Sequence, residues 1–399
     1  MSDVMQSSRV DLIYRPLVKT LSNLQVGKIH LQLPSGQRMT FAGGKPGPEA
    51  SLEIFHPRLM MRLLANGTLG LAEGYMAGEW NSPDVVALIS VGEMNRDILG
   101  GLDEGRPLMR ALQWCVHAFR PNTKKGARRN IASHYDLGND FYKLWLDPSM
   151  TYSSAVFDSP EQSLEAAQMN KYDAILDILK PTQDMHLLEI GSGWGGFAMR
   201  AATTTGCRVT SITLSNAQLK KARARVQKAG LSDRIEFKLQ DYRDLTGQYD
   251  GIASIEMFEA VGERYWPDFF KTLHDRLTPD GRAAVQVITI RDDLFAAYRK
   301  GVDFIQRYIF PGGMLPSPEV FVEAAHQAGL EAMHQVFRGL DYAKTLHLWD
   351  DAFKAKLPQI KSMGFDERFI RMWRFYLAYC EAGFRRETIN LMQIGLRRA

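Results

Sequence analysis

The chain has 399 residues, 45% of them hydrophobic, and a formal net charge of +4 at neutral pH. That length accommodates two domains with ordinary cores. A charge this small gives no basis for nucleic-acid binding, although a slight basic excess suits an anionic surface. No apolar run reaches the ~18 residues of a membrane-spanning helix, and the start, MSDVMQSSRVDLIYRPLVKTL, lacks the continuous apolar core of a secretory signal. Cys115, Cys207 and Cys380 stand apart without CxxC spacing, which points to a reducing cytoplasm and away from a structural zinc site, so no metal is expected.

Residues 1–118 read as a small N-terminal α+β domain suited to lipid docking or dimerisation. Within it, KIHLQLPSGQRMTFAGG (28–44) alternates apolar and polar residues around turn signals and predicts a small sheet. PRLMMRLLANGTLGLAEGYMAGEW (57–80) has a helical period interrupted by Gly67, Gly70, Gly74 and Gly78, and its apolar residues are expected to pack inward. The stretch 119–132, FRPNTKKGARRNIA, carries five basic residues and no acid. It reads first as a solvated interdomain linker, and compatibly with that as an electrostatic foot on anionic headgroups, where each basic residue contributes roughly 1 kcal/mol.

The run HYDLGNDFYKLWLDPSMTYSSAVF (134–157) concentrates six aromatic residues and a histidine, as a hydrophobic plug or the wall of an active site would. Beyond it, helices and strands alternate. SPEQ (159–162) predicts a capping box opening a helix to about Lys180, stopped by Pro181. HLLEI (186–190), CRVTSIT (207–213), RIEFKL (234–239), DGIASIE (250–256) and AAVQVITI (283–290) predict strands. Helices are expected at about 215–229 and 264–276, and across 364–396. This spacing implies an α/β fold, a mostly parallel sheet with helices on both faces.

GSGWGG (191–196) sets Gly191, Gly193 and Gly196 in G-x-G-x-x-G order between a strand and a helix, where a ligand can approach the backbone at a helix N-terminus. NAD is the obvious competitor. The second strand, however, ends in Thr213-Leu214-Ser215 rather than in a ribose-holding acid, and only one mononucleotide-binding half is evident. S-adenosylmethionine uses the same turn with a single nucleoside, and Asp241 and Tyr242 follow the third strand, where adenine would lie. Alternative readings remain: Ser215 and Gln218 as a capping box, Asp241 as a loop cap.

HYDLGNDFYKLWLDPSMTYSSAVF, LLEIGSGWGGFA, TLSNAQ, QDYRDL, MFEAVG and YIFPGGMLPS occur in an order and spacing that resemble the cyclopropane-fatty-acyl-phospholipid synthase family, which includes the mycolic acid cyclopropane synthases. The resemblance implies a Rossmann-like class I methyltransferase fold over 133–399, with a lipid-site lid around 291–317. It implies transfer of the S-adenosylmethionine methyl to the cis double bond of a phospholipid acyl chain, closing a cyclopropane after a bound bicarbonate removes a proton. Carried across, cofactor contacts fall on Tyr152, Ser153, Gly191, Gly193, Thr213, Leu214, Gln218, Asp241 and Tyr242. The bicarbonate cradle falls on Glu259, the backbone of Ile288, and Tyr376, with Ser154 and Gln286 completing the site. The partner implied is an anionic phospholipid bilayer, met peripherally on the inner face of the membrane from the cytoplasm, with a homodimer as a further expectation.

The chain departs from the family pattern at three places. Ser154 stands where cysteine is usual, Gln286 where histidine is usual, and Ala260 where a histidine commonly follows the glutamate. Serine and glutamine donate hydrogen bonds but supply neither thiolate nor imidazole. The ring-closing step is therefore open: deprotonation elsewhere on the cation gives a methyl-branched unsaturated chain. A methyltransferase for a soluble amine or phenol, and a non-catalytic lipid or nucleoside binder, are the readings from other classes.

Overall fold

The computed structural model describes residues 11–98, 126 and 137–399. The basic stretch 119–132, Gly126 apart, lies outside the described residues, as do Cys115 and His134–Asp136 of the aromatic run. Contacts divide the chain into two units: Met1–Trp114 with Met363–Arg386, and Cys115–Ser362 with Glu387–Ala399.

The larger unit is built on a seven-stranded sheet of order β10-β11-β9-β8-β5-β6-β7. Its strands are β5 (His186–Ile190), β6 (Arg208–Thr213), β7 (Ile235–Leu239), β8 (Tyr249–Ile255), β9 (Leu277–Ile290), β10 (Leu330–Phe337) and β11 (Ile389–Arg398). β9, β8, β5, β6 and β7 run parallel, whereas β11 pairs antiparallel with both β9 and β10. Near-continuous burial of β5 and β6 is what a parallel sheet covered on both faces requires. Strand order reverses between β5 and β8, and ligands bind beyond the carboxyl ends of strands at such a point.

Several boundaries differ from the sequence reading, β9 beginning at Leu277 rather than at 283 among them. The helix after the aromatic run is Leu164–Leu179, capped by Ser163, whose Oγ accepts from the Ala166 amide. Ser159 caps nothing there, because Gln162 instead turns its Oε1 to the Asp158 amide and closes a local loop. The segment expected to be helical to 396 is a helix over Glu367–Arg385 followed by β11, whose run INLMQIGLRR finds paired neighbours on both sides. That helix is also grouped with the N-terminal unit, not with the domain 133–399 to which the sequence assigned it.

In the smaller unit the sheet order is β2-β1-β3-β4, with β1 (Val26–Gln32), β2 (Arg38–Ala42), β3 (Lys45–Ile54) and β4 (Trp80–Asn81). The helices Arg58–Asn66 and Thr68–Met76 break at Gly67, which sits at φ +56°. Gly70 remains helical, and a Cβ there would lie 2.1 Å from the carbonyl oxygen of Arg62, so only glycine allows the two helices to cross this closely. Glu367–Arg385 packs on Thr68–Met76 and Val85–Met94, burying Ile370, Trp373 and Leu377, and Arg371 donates to the carbonyls of Tyr75 and Trp80.

Candidate active site

The aromatic run forms a wall. Phe141, Tyr142 and Trp145 are buried on the short helix Asn139–Lys143 and the turn after it. Tyr142 stands 5.3 Å from Tyr152 and 5.2 Å from Trp194, ring centre to ring centre. Trp349, on the helix Gly339–Ala355, meets Tyr152 at 5.3 Å and Trp145 at 5.7 Å. Trp194 belongs to the glycine loop, and its indole N–H donates to Asn139 Oδ1 at 2.7 Å. Tilted and edge-on packing of this kind holds rings in fixed relative positions.

In the loop itself, Gly191, Gly193 and Gly195 have φ of +102°, +48° and +86°. A Cβ on Gly193 would meet nothing within 4 Å, leaving open space against the backbone. Gly196, by contrast, is required by packing: a Cβ there would lie 2.3 Å from the Tyr172 hydroxyl, which is held at 2.8 Å by Thr151 Oγ1. The helix Gly196–Thr205 begins without a side-chain cap, so its first amides point into this loop as an anion- or carboxylate-binding end.

The remaining cofactor candidates lie on β6, β7 and the turns after them. Thr213 Oγ1 donates to Gln218 Oε1 at 3.0 Å, and Leu214 is half-buried beside them. Ser215 caps the helix Asn216–Lys228 through the Gln218 amide, but the Gln218 side chain does not return to Ser215, so the capping box is only half formed. Asp241 caps the turn Tyr242–Asp244 and is held by Arg243 through Nε at 2.8 Å and a second nitrogen at 2.7 Å. The Tyr242 hydroxyl is buried without a hydrogen-bond partner among the described residues, and burial pushes its pKa up. An unpaired buried hydroxyl beside an acidic turn is what a nucleoside edge would satisfy.

Two carboxylates stand past the end of β8. Glu256 is a non-glycine residue at φ +49°, a conformation costing about 1–2 kcal/mol. Its Oε1 accepts from the Ser154 amide and from Gln286 Nε2, both at 2.8 Å, and its Oε2 accepts from the Tyr342 hydroxyl at 2.6 Å. Glu259 Oε1 accepts from the Ile288 amide at 2.6 Å, while its Oε2 is shut from solvent without a hydrogen-bond partner among the described residues. Burial first, and then the charge of Glu256, push the Glu259 carboxyl up to about 8. Burial also raises Glu256, but its three donors act against that. The pair therefore suits one shared negative charge, carried by Glu256, with Glu259 as the neutral acid.

Behind them, Lys171 is fully buried in the helix Leu164–Leu179 and donates from Nζ to Ser153 Oγ at 2.6 Å. Burial lowers its pKa to about 7, while Glu256, Asp147 and Glu189 pull it up. Glu189, on β5, is pushed up to about 8 by burial and accepts from the Ser211 hydroxyl.

This architecture has counterparts among known proteins. Residues 122–394 match the model of the mycolic acid cyclopropane synthetase family. The chain belongs to that family. It is similar to tuberculostearic acid methyltransferase UfaA1 of Mycobacterium tuberculosis, with 42% identity over 88% of this chain and 84% of that protein. It is 34% identical to the cyclopropane-fatty-acyl-phospholipid synthase of Escherichia coli strain K12, over 86% of this chain and 87% of the other. The solved mycolic acid cyclopropane synthase CmaA1, complexed with SAH and CTAB, superposes with a TM-score of 0.64 at 32% identity, covering 68% of this chain and 98% of that one. The larger unit is thus a class I methyltransferase fold, and this family member is an S-adenosylmethionine-dependent methyltransferase. The open space at Gly193, the uncapped helix start and the orphaned Tyr242 hydroxyl fit that cofactor.

Of the residues named from sequence, Ser154, Gln286, Ile288 and Glu259 come together around the carboxylates. Ser154 does so through its amide, since its hydroxyl donates to the Ala155 carbonyl. Tyr376 lies on Glu367–Arg385 in the other unit, with its ring 5.5 Å from Trp373. Within the methyltransferase unit, the Tyr342 hydroxyl meets the Glu256 carboxylate. Glu256, Lys171, Glu189 and Tyr342 escaped the sequence reading. Lys171 had a usable signal: it shares the buried stripe of Gln168, Ile175 and Leu179, where a charged residue is out of place.

Proposed function

We propose that this enzyme transfers the methyl group of S-adenosylmethionine to the cis double bond of an unsaturated acyl chain in a phospholipid. The observation that carries this reading is the pairing of an aromatic wall with a buried carboxylate pair on one methyltransferase sheet. When bound, S-adenosylmethionine supplies an electrophilic methyl group. An alkene is a weak nucleophile, so the protein must align it and keep water away. The half-buried ring of Tyr152, held between the buried Tyr142 and Trp349, offers both an apolar face for the chain and negative π density for a developing cation. A carboxylate nearby then collects the proton that the cation loses.

Loss of that proton from the transferred methyl closes a cyclopropane, and loss from a neighbouring chain carbon gives a methyl-branched unsaturated chain. The second product is favoured by two observations. The positions usual for thiol and imidazole hold Ser154 and Gln286, and the relative at 42% identity is named for tuberculostearic acid. Exposed Phe55, Met61 and Leu64 beside the exposed Arg58 support peripheral docking on a bilayer that delivers the acyl chain.

The test is incubation of the purified protein with labelled S-adenosylmethionine and vesicles of monounsaturated phospholipid, followed by mass spectrometry of the acyl chains. A gain of one CH2 on those chains is expected, and mild hydrogenation distinguishes a surviving double bond from a ring. Label confined to a water-soluble acceptor, or absent altogether from lipid, would overturn the reading.

A further inference from the structure

We propose that the Glu256 carboxylate takes the place of bicarbonate in this enzyme, filling the anion cradle from within the chain and accepting the proton the acyl cation loses. The occupancy of the cradle rests on geometry alone; the proton transfer rests on the acyl methylation proposed above.

The family resemblance places a bicarbonate among Ser154, Gln286, Glu259, the Ile288 backbone and Tyr376. The donors found here are already taken. The Ser154 amide, Gln286 Nε2 and the Tyr342 hydroxyl, from three separate segments, all converge on the two oxygens of Glu256. The Ile288 amide is held by Glu259, and Gln286 Oε1 accepts from Gln393 Nε2 at 2.8 Å, which fixes the direction of the amide group. A carboxylate and a bicarbonate present the same planar pair of oxygens with one negative charge, so donors arranged for one suit the other. A free anion would have to stand against the Glu256 carboxylate, where like charge opposes it. The backbone agrees: φ of +49° at Glu256 is a glycine-type conformation, yet the residue here carries the longest side chain that ends in a carboxylate.

In the step itself, the C–H bond of the cation breaks. Its electron pair becomes the new ring bond or the new double bond, and the proton goes to an oxygen of Glu256. Glu256 is left as the neutral acid and returns that proton to water before the next turnover. No external base is consumed.

The experiment compares wild type with Glu256→Gly and Glu256→Gln. Binding of carbon-13 bicarbonate is followed by NMR, and acyl methylation of monounsaturated vesicles is followed with and without bicarbonate in carbon-dioxide-free buffer. Wild type is expected to bind no bicarbonate saturably and to methylate at the same rate in both buffers. Glu256→Gly, which suits the backbone, is expected to bind bicarbonate, to lose roughly a hundredfold in turnover without it, and to regain at least about tenfold with it. Glu256→Gln keeps the shape but accepts no proton, so the same loss is expected without rescue. S-adenosylmethionine binding within about threefold of wild type shows that the cofactor site is intact in each variant. Saturable bicarbonate binding by wild type, or a several-fold stimulation of its turnover, overturns the proposal, as does full turnover of Glu256→Gln. If wild type methylates no lipid in any buffer, the acyl-methylation reading and the proton transfer fall together, while the NMR result still decides who occupies the cradle.

Discussion

The hydroxyl of Tyr342 donates to Glu256 Oε2 at 2.6 Å, tying the helix Gly339–Ala355 to the residue just past the end of β8. This bond favours the charged carboxylate and works against the burial that raises its pKa. Tyr342→Phe removes the donor and keeps the ring. The Glu256 pKa then rises further, so the acidic limb of the turnover profile moves to higher pH and turnover at neutral pH falls by roughly tenfold. A pH–rate profile for acyl methylation checks this, and an unmoved limb would show that Glu256 is not the group titrating.

Glu259 makes a separate, thermodynamic prediction. Its carboxyl is raised from 4.5 to about 8 by burial and by Glu256. The folded protein keeps this proton where the unfolded chain has released it. The stability it contributes is therefore fully present below 4.5 and is lost as pH rises through about 8. Glu259→Gln retains an oxygen for the Ile288 amide and cannot ionise. Melting curves should agree near pH 4.5, and the variant should become more stable than wild type by about 1–3 kcal/mol at pH 8 and above. A constant difference across that range would contradict the assignment.

Two glycines of one loop should behave differently. Gly193→Ala meets no atom within 4 Å and carries only the strain of φ +48°, about 1 kcal/mol, yet its methyl group enters the space left for the cofactor. It should fold normally and bind S-adenosylmethionine at least about tenfold more weakly. Gly196→Ala drives a methyl into the Tyr172 hydroxyl at 2.3 Å and should lower stability by about 2–3 kcal/mol. Calorimetric binding and thermal unfolding, run on both variants, separate the two effects.

Lys171 sits without solvent exposure among Glu189, Glu256 and Asp147. Lys171→Met keeps much of the volume but leaves those acids without their buried cation and frees Ser153 Oγ from its 2.6 Å donor. Removing one partner of a buried charge group costs about 3 kcal/mol, and denaturant unfolding at neutral pH should show it. An unchanged midpoint would mean that the ammonium does not offset the acids.

Local patterning made much of this legible. The strand HLLEI and the glycine loop after it were readable because burial on both faces demands an apolar run and a tight ligand-facing turn demands glycine. Ser154, Gln286 and Glu259 were identifiable as members of the site because their motifs persist even where the residue type changes. The return of 363–386 to the N-terminal unit was not legible, since an amphipathic helix states that it has a buried face without stating which partner covers it. For the same reason the sequence did not state that Tyr376 would be grouped with the N-terminal unit.

By itself, then, the order of residues determined a methyltransferase sheet, its cofactor loop and the motifs that surround the buried carboxylates. Tertiary structure alone decided which group holds the charge there. Ser154, Gln286 and Tyr342 lie 102, 30 and 86 residues from Glu256 in the chain, and their donors meet on its carboxylate only after the sheet has formed. A buried charge is tolerated where several donors converge on it, and that convergence is a property of the fold rather than of any one segment.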